Sequence, residues 1–227
     1  GIFRKKKETV EAVKGISFDV EFGELFGLVG PNGAGKTTTI KMIVGLLKPD
    51  TGTIGLNGLD TQRDALKCKS ITTYVPDYPA IYERLTGMEY LNFIGDVYGV
   101  LKKDRMERIE KWLEIFELAQ AVSSPIQSYS HGMKQRVVIA AALLHGPKVL
   151  VVDEPMVGLD PKSVRLAKDL LRAQASAGAA VFMSTHTLSI AEEIADRIGI
   201  IDRGRLSFLA ATLGLELAVR DRDRGAA

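Results

Sequence analysis

Cysteine is almost missing: Cys68 is the single one in 227 residues, so no disulfide framework exists and a reducing, cytosolic setting is expected. Long apolar runs are missing too. The longest, residues 137–144, falls far short of the ~20 residues that a membrane-spanning helix needs, which predicts a soluble chain. Charge of one sign is scarce: 30 basic against 28 acidic residues leave a net +2, too little for a nucleic-acid footprint, so no nucleic acid is expected as a partner. The one dense basic run is Arg4-Lys5-Lys6-Lys7. It reads as a solvated hairpin tip or, alternatively, as a contact for phospholipid or an acidic partner. Cys68, His131 and His145 lack metal-ligand spacing, so no structural zinc is expected. Internal repeats and low-complexity blocks are absent as well.

What is present fits one well-buried core, and residues 1–227 read as a single domain. Residues 10–20 and 51–59 alternate like short strands between Gly turns, which predicts a small antiparallel β patch. From Thr86 to about Leu118 the pattern is helical, with Ile109, Trp112, Leu113 and Phe116 on one face, where Trp112 reads as core. Beyond it, helices over residues 134–144, 162–177 and 188–194 alternate with all-apolar strands at 149–152 and 180–183. That alternation predicts a parallel sheet covered on both faces.

The most specific stretch is Gly30-Pro31-Asn32-Gly33-Ala34-Gly35-Lys36-Thr37-Thr38, a glycine, four residues, then Gly-Lys-Thr. It follows the apolar strand Leu25-Phe26-Gly27-Leu28-Val29 and opens a helix marked by Ile40, Ile43, Val44 and Leu47, the setting a phosphate cradle requires. Glycines bring backbone N–H groups close to anionic oxygens, and the helix start adds its positive dipole end. Lys36 would reach the β- and γ-phosphates, Thr37 would place its hydroxyl on Mg²⁺, and Thr38 could donate to an α-phosphate oxygen.

Val149-Leu150-Val151-Val152-Asp153-Glu154-Pro155 supplies the second element, two acids at the carboxyl end of a buried strand, where open α/β sheets bind ligands. Asp153 is suited to hold Mg²⁺ opposite Thr37, and Glu154 to accept a proton from an attacking water. The alternative, that both acids simply cap the next helix, would leave the phosphate loop without a strand-end carboxylate partner. His186 ends the next apolar strand, and a single crossover between parallel neighbours would set it beside Asp153 and Glu154, within reach of a γ-phosphate oxygen or the water.

A third segment, Tyr129-Ser130-His131-Gly132-Met133-Lys134-Gln135-Arg136, precedes the strand-end acids and opens a helix. With the order of the other motifs, it makes nearly the whole chain closely resemble the ATP-binding cassette family, specifically the nucleotide-binding subunit of a transporter. The resemblance implies a P-loop NTPase (RecA-like) α/β core with a mostly parallel sheet, an inserted α-helical subdomain at about 84–140 and a small antiparallel β subdomain. It implies ATP and Mg²⁺ as ligands, with two ATP molecules sandwiched between two nucleotide-binding subunits. Ser130 and Gly132 would then face the γ-phosphate held by the second copy. Val157-Gly158-Leu159-Asp160 would cross the dimer interface, although Asp160 before Pro161 also reads as a helix cap. His186 would be the switch histidine, and Phe3 falls near the family's adenine-stacking aromatic.

Departures from the family pattern are specific. His131 stands where glycine is usual, Met156 and Val157 replace small hydroxyl residues, and Tyr74-Val75-Pro76-Asp77-Tyr78-Pro79 offers Asp77 where glutamine ordinarily faces Mg²⁺ and water. Asp77 either joins the metal shell or turns away to shape a contact with a membrane subunit. The resemblance as a whole implies an ATPase peripheral to the cytoplasmic face of a membrane, driving separate transmembrane permease subunits. Residues 85–99 resemble exporters of drugs, sodium or surface polymers. The competing readings are a soluble cassette ATPase acting on a macromolecular complex and a cassette that only binds ATP.

Overall fold

The computed structural model describes residues 11–78 and 81–211. A six-stranded sheet organises them: β1 (Leu25–Val29), β4 (Thr72–Val75), β5 (Val149–Asp153), β6 (Ala180–Thr185), β7 (Arg197–Asp202) and β8 (Arg205–Ala211), in the order β4-β5-β6-β1-β7-β8. Only β8 runs antiparallel. β1, β5 and β6 are buried at every residue, as strands covered on both faces must be. Their side chains divide by parity. Leu25, Val29, Leu150, Val152, Val181 and Met183 join one core cluster, whereas Phe26, Leu28, Val149, Val151 and Phe182 join the other.

The second cluster is covered by α1 (Lys36–Ile43) through Ile40, and by Leu56 and Cys68. Cys68 lies on α2 (Ala65–Ile71), and Leu56 on the two-stranded sheet of β2 (Gly55–Leu56) and β3 (Leu59–Asp60). Asn57 and Gly58 both have positive φ, 51° and 76°, giving the tight turn that an Asn-Gly pair favours.

Residues 11–20, expected as a strand, carry no strand pairing among the described residues. Their alternation serves side-chain packing instead: Ile16, Phe18 and Val20 pack on the second cluster, and the Phe18 ring stacks on Phe26 at 5.2 Å and Phe182 at 5.8 Å. The expected antiparallel patch is thus reduced to the β2–β3 hairpin. Phe3 and the run Arg4 to Lys7 lie outside the described residues.

The helical stretch resolves into α3 (Gly87–Val97), α4 (Lys102–Ile115) and α5 (His131–Leu143). A capping box between Thr86 and Glu89 starts α3. Buried Arg105 ties α3 to α4 by donating to Asp96 Oδ1 at 2.6 Å, Val100 O at 2.8 Å and Asn92 O at 3.2 Å. Ile109, Trp112, Leu113 and Phe116 are all buried, as the periodicity predicts. The C-terminal part of α5, from Val137, is buried on all sides, and with α6 (Pro161–Ser176) and α7 (Leu188–Ile194) it covers the first cluster.

The parallel register sets up everything at the carboxyl end of the sheet. Val75 pairs with Val152, Asp153 with Ser184 and Val29 with Thr185, so the adjacent strands β4, β5, β6 and β1 stop together. The residues immediately beyond them, including Gly30, Asp77, Glu154 and His186, emerge along one edge.

A candidate nucleotide site at the strand ends

The loop between β1 and α1 is fixed by backbone contacts that admit little other than glycine at two places. A Cβ on Gly30 would stand 2.2 Å from Ile201 O, and one on Gly35 would stand 2.7 Å from Ala12 O, where φ is also +111°. Gly33 has open space but a φ of +79°. Pro31, Asn32 and Gly33 are exposed, Ala34 is buried and donates its N–H to Pro31 O at 3.1 Å, and Thr38 is half-buried. α1 starts at Gly35 with no side-chain cap, which leaves the first turn's N–H groups without a side-chain partner and makes this helix start an anion-accepting end.

Lys36 is buried, and its ammonium donates to Gly30 O at 2.6 Å and Pro31 O at 3.3 Å. It also approaches Glu154 Oε1 at 3.3 Å, an ion-pair distance without hydrogen-bond alignment, so that carboxylate oxygen is buried and keeps an unfilled acceptor. Thr37 donates its hydroxyl to Asp153 Oδ2 at 3.0 Å. Asp153 is 2% exposed, and its other oxygen accepts from the Ser184 hydroxyl.

Glu154 has a φ of 50°, a left-handed conformation that a glutamate adopts only under local constraint. Its N–H donates to Ser184 O at 3.1 Å. Its Oε2 faces His186, at 2.9 Å from Nδ1 and 3.3 Å from the backbone N–H. The crossover argument therefore holds geometrically: β5 and β6 are parallel neighbours, and His186 meets Glu154 directly.

Asp77 is exposed beside this cluster. Burial, and after it the charges of Asp153 and Glu154, pushes its carboxyl up, while His131 and His186 oppose the shift. Burial together with Asp153 and Asp77 also pushes the Tyr74 phenol up to about 12, so a neutral hydroxyl lies among the acids. Sequence reasoning missed Tyr74 and Ser184; the signal that could have found Ser184 is the strand register, which sets it opposite Asp153.

The signature segment folds as a helix start. Ser130 is the N-cap of α5 and accepts from Met133 N at 3.3 Å, and His131 follows inside the helix without positive φ. The His131 ring lies 6.4 Å from that of Tyr78, and its Nε2 would be 3.3 Å from a Cβ on Gly158. Gly132 has nothing within 4 Å of its Cβ direction and no positive φ, so neither packing nor backbone geometry calls for glycine there. Asp160 caps α6, accepting from Lys162 N at 3.0 Å, Ser163 N at 3.1 Å and Ser163 Oγ at 2.6 Å, bonds that hold its carboxyl below the usual range.

Can these residues accept a magnesium nucleotide? Thr37 and Asp153 offer the hard oxygens that Mg²⁺ takes. No group of three or more His, Cys, Asp or Glu among the described residues could hold a metal alone, so a cation here needs further oxygens from a phosphate chain. An uncapped helix start and a buried lysine lie alongside, and the set fits.

A family model described as "ABC transporter" matches residues 13–157. The linearmycin resistance ATP-binding protein LnrL of Bacillus subtilis (strain 168) is 41% identical over 200 residues, covering 88% of this chain and 64% of that protein. The chain spans just under two thirds of the length of the first two curated relatives it matches, 64% and 65%. Among solved structures, an ATP-binding subunit of an ABC transporter superposes with a TM-score of 0.86 at 34% identity, covering 92% of this chain and 87% of that one. CbiO1 from Clostridium perfringens, part of the ABC transporter complex cbiONQ, superposes at 0.79 with 28% identity over 91% and 84%. The phosphate loop, the acids at the strand ends and these likenesses together show that the chain belongs to the ABC transporter ATP-binding family.

Proposed function

We propose that this chain binds Mg·ATP at the edge shared by β1, β5 and β6, hydrolyses it, and so drives a membrane exporter. The observation that carries the reading is the joint placement of Lys36, Thr37, Asp153, Glu154 and His186 around one uncapped helix start. Loop N–H groups from Gly30 to Gly35 and the first turn of α1, with Lys36 and Thr38, take the phosphates. Phosphate oxygens compete with Gly30 O, Pro31 O and Glu154 for the Lys36 ammonium, which frees Glu154 Oε1 to take a proton from water. His186 orients that carboxylate through Oε2. Thr37 and Asp153, with Asp77 as a further candidate, would hold Mg²⁺, whose charge offsets that of the triphosphate.

Gly132 supports a shared site. Glycine inside a helix costs stability, and no neighbour among the described residues requires it, so an approaching group from outside accounts for it best. We assign that group as the γ-phosphate bound by a second subunit, met by Ser130 and the N-terminus of α5. Permease subunits dock on a groove of about 490 Å³ lined by Leu46, Leu56, Leu66, Tyr74, Val97 and Tyr98. Leu46, Leu66 and Val97 are 58%, 83% and 63% exposed, an apolar rim that solvent alone does not explain. In this reading the chain is a peripheral, cytoplasmic-face subunit and separate permease subunits supply the passage; no helix among the described residues is long and apolar enough to cross a membrane. The drug-resistance relative supports export.

The deciding experiment compares nucleotide binding and phosphate release in wild type, Lys36→Ala and Glu154→Gln. Lys36→Ala should bind ATP weakly. Glu154→Gln should bind it normally, turn over at least about 10²-fold more slowly and accumulate as an ATP-bound dimer. Full turnover in Glu154→Gln would overturn the assignment.

A further inference from the structure

β6 is apolar and buried from Ala180 to Met183, then carries a serine that is 0% exposed. A hydroxyl in that position loses its water and must find partners. Ser184 finds them on both strand-end acids. Its hydroxyl donates to Asp153 Oδ1, its Oγ lies 3.4 Å from Glu154 N, and its carbonyl accepts from the same N–H at 3.1 Å. One serine can do this because it has one donor and two acceptor lone pairs.

The consequences differ for the two acids. Asp153 has two oxygens, and Ser184 occupies one, so the carboxylate plane is fixed and Oδ2 is the oxygen turned to Thr37. Glu154 stands at a φ of 50°, and the Ser184 contacts to its N–H oppose relaxation of that turn. An alanine would fill the same space in the sheet with none of these bonds. Mere smallness therefore does not explain the residue.

We propose that Ser184 is a positioning residue that aims Asp153 Oδ2 at the metal position beside Thr37 and fixes the backbone that carries Glu154. This rests on the reading above, in which Thr37 and Asp153 hold Mg²⁺. Partners that orient a ligating carboxylate typically change metal affinity about 10- to 100-fold when lost.

The test measures binding of a fluorescent ATP analogue to wild type, Ser184→Ala and Ser184→Thr as Mg²⁺ is raised, with thermal melting and ATP turnover alongside. Ser184→Ala should raise the half-saturating Mg²⁺ concentration by about tenfold while leaving affinity for the metal-free nucleotide near wild type, and Ser184→Thr, which keeps the hydroxyl, should restore it. A merely structural serine would lower the melting temperature without moving the Mg²⁺ midpoint. Should Ser184→Ala be recovered only unfolded, Ser184→Cys, with its weaker donor, takes its place and the same shift is expected. An unmoved midpoint overturns the positioning role, as does a shift shared equally by Ser184→Thr. A wild type whose nucleotide binding ignores Mg²⁺ overturns the metal reading itself, and this inference with it.

Discussion

The imidazole of His186 meets the carboxylate of Glu154 at 2.9 Å through Nδ1, and the histidine's own backbone N–H approaches the same oxygen at 3.3 Å. Two contacts from one residue fix the carboxylate's rotation better than either alone. The ring is half exposed and its Nε2 is left for another partner. His186→Ala should therefore reduce ATP turnover by about 10²-fold while nucleotide affinity stays close to wild type. Phosphate-release rates and fluorescent-nucleotide titrations on the same preparations check this; unchanged turnover refutes the role.

Gly132→Ala separates stability from function. With nothing near the Cβ direction, alanine should stabilise α5, by about 0.5 kcal/mol so near the helix end, and raise the melting temperature slightly. The same methyl should obstruct the facing phosphate and depress ATPase activity. A variant that is more stable and equally active would count against the shared site.

Complementation gives the dimer its own test. Specific activity should rise with protein concentration, and mixing Lys36→Ala with Ser130→Arg should recover part of the activity, since one site in each mixed dimer keeps both intact halves. Activity independent of concentration in a demonstrated monomer, with no recovery on mixing, would sink the trans arrangement.

Asp77 can be assigned by a magnesium titration at saturating ATP. Its raised pKa, caused by burial and by Asp153 and Glu154, marks a carboxylate repelled by its neighbours, which a cation would relieve. If Asp77 joins the metal shell, Asp77→Ala should raise the Mg²⁺ needed for half-maximal ATPase activity, and Asp77→Gln should recover turnover with weaker metal dependence. Superimposable curves leave Asp77 a role in shaping the loop alone.

His145 predicts an acid sensitivity unrelated to the nucleotide. Its ring stacks on Tyr98 at 3.8 Å, neither ring nitrogen has a hydrogen-bond partner among the described residues, and burial, followed by the Arg108 charge, lowers its pKa from 6.5 to about 4. The unfolded chain thus binds the proton more tightly, so stability is fully present above pH 6.5 and is lost as pH falls towards 4. The loss is on the order of 2–3 kcal/mol. His145→Phe keeps the stack without the charge, and its melting temperature should fall less between pH 7 and pH 4; parallel profiles would exclude His145 as the cause.

The parts of this molecule that could be read from the chain are those whose chemistry is local. Gly30 to Thr38 and the apolar strands before Gly30, Asp153 and His186 are contiguous patterns, and strand parity then brings Lys36, Thr37, Asp153, Glu154 and His186 together. Residues 10–20 misled because alternation reports which side chains face inward, not whether a neighbouring strand pairs. Ser184 and Tyr74 escaped because their partners are set by register and burial across the sheet. His131 stands in the signature where glycine is usual, yet it lies inside the first turn of α5 without positive φ, so the backbone there does not call for glycine. At Asp160 the capping bonds are visible within the chain, whereas any role across a dimer is a property of two chains.

The enclosure of α5 has a mechanical consequence. Its Ser130 end is exposed, while from Val137 onward it is clamped between the sheet and the neighbouring helices, and the chain then passes directly to His145 against Tyr98, the residue that ends α3. A rod about 20 Å long, gripped along half its length, passes a load applied at its free tip to the elements that grip it. On the reading proposed above, a phosphate drawn against Ser130 would load the helices packed around α5, and beyond the end of α5 His145 stacks on Tyr98, which with Val97 lines the apolar groove.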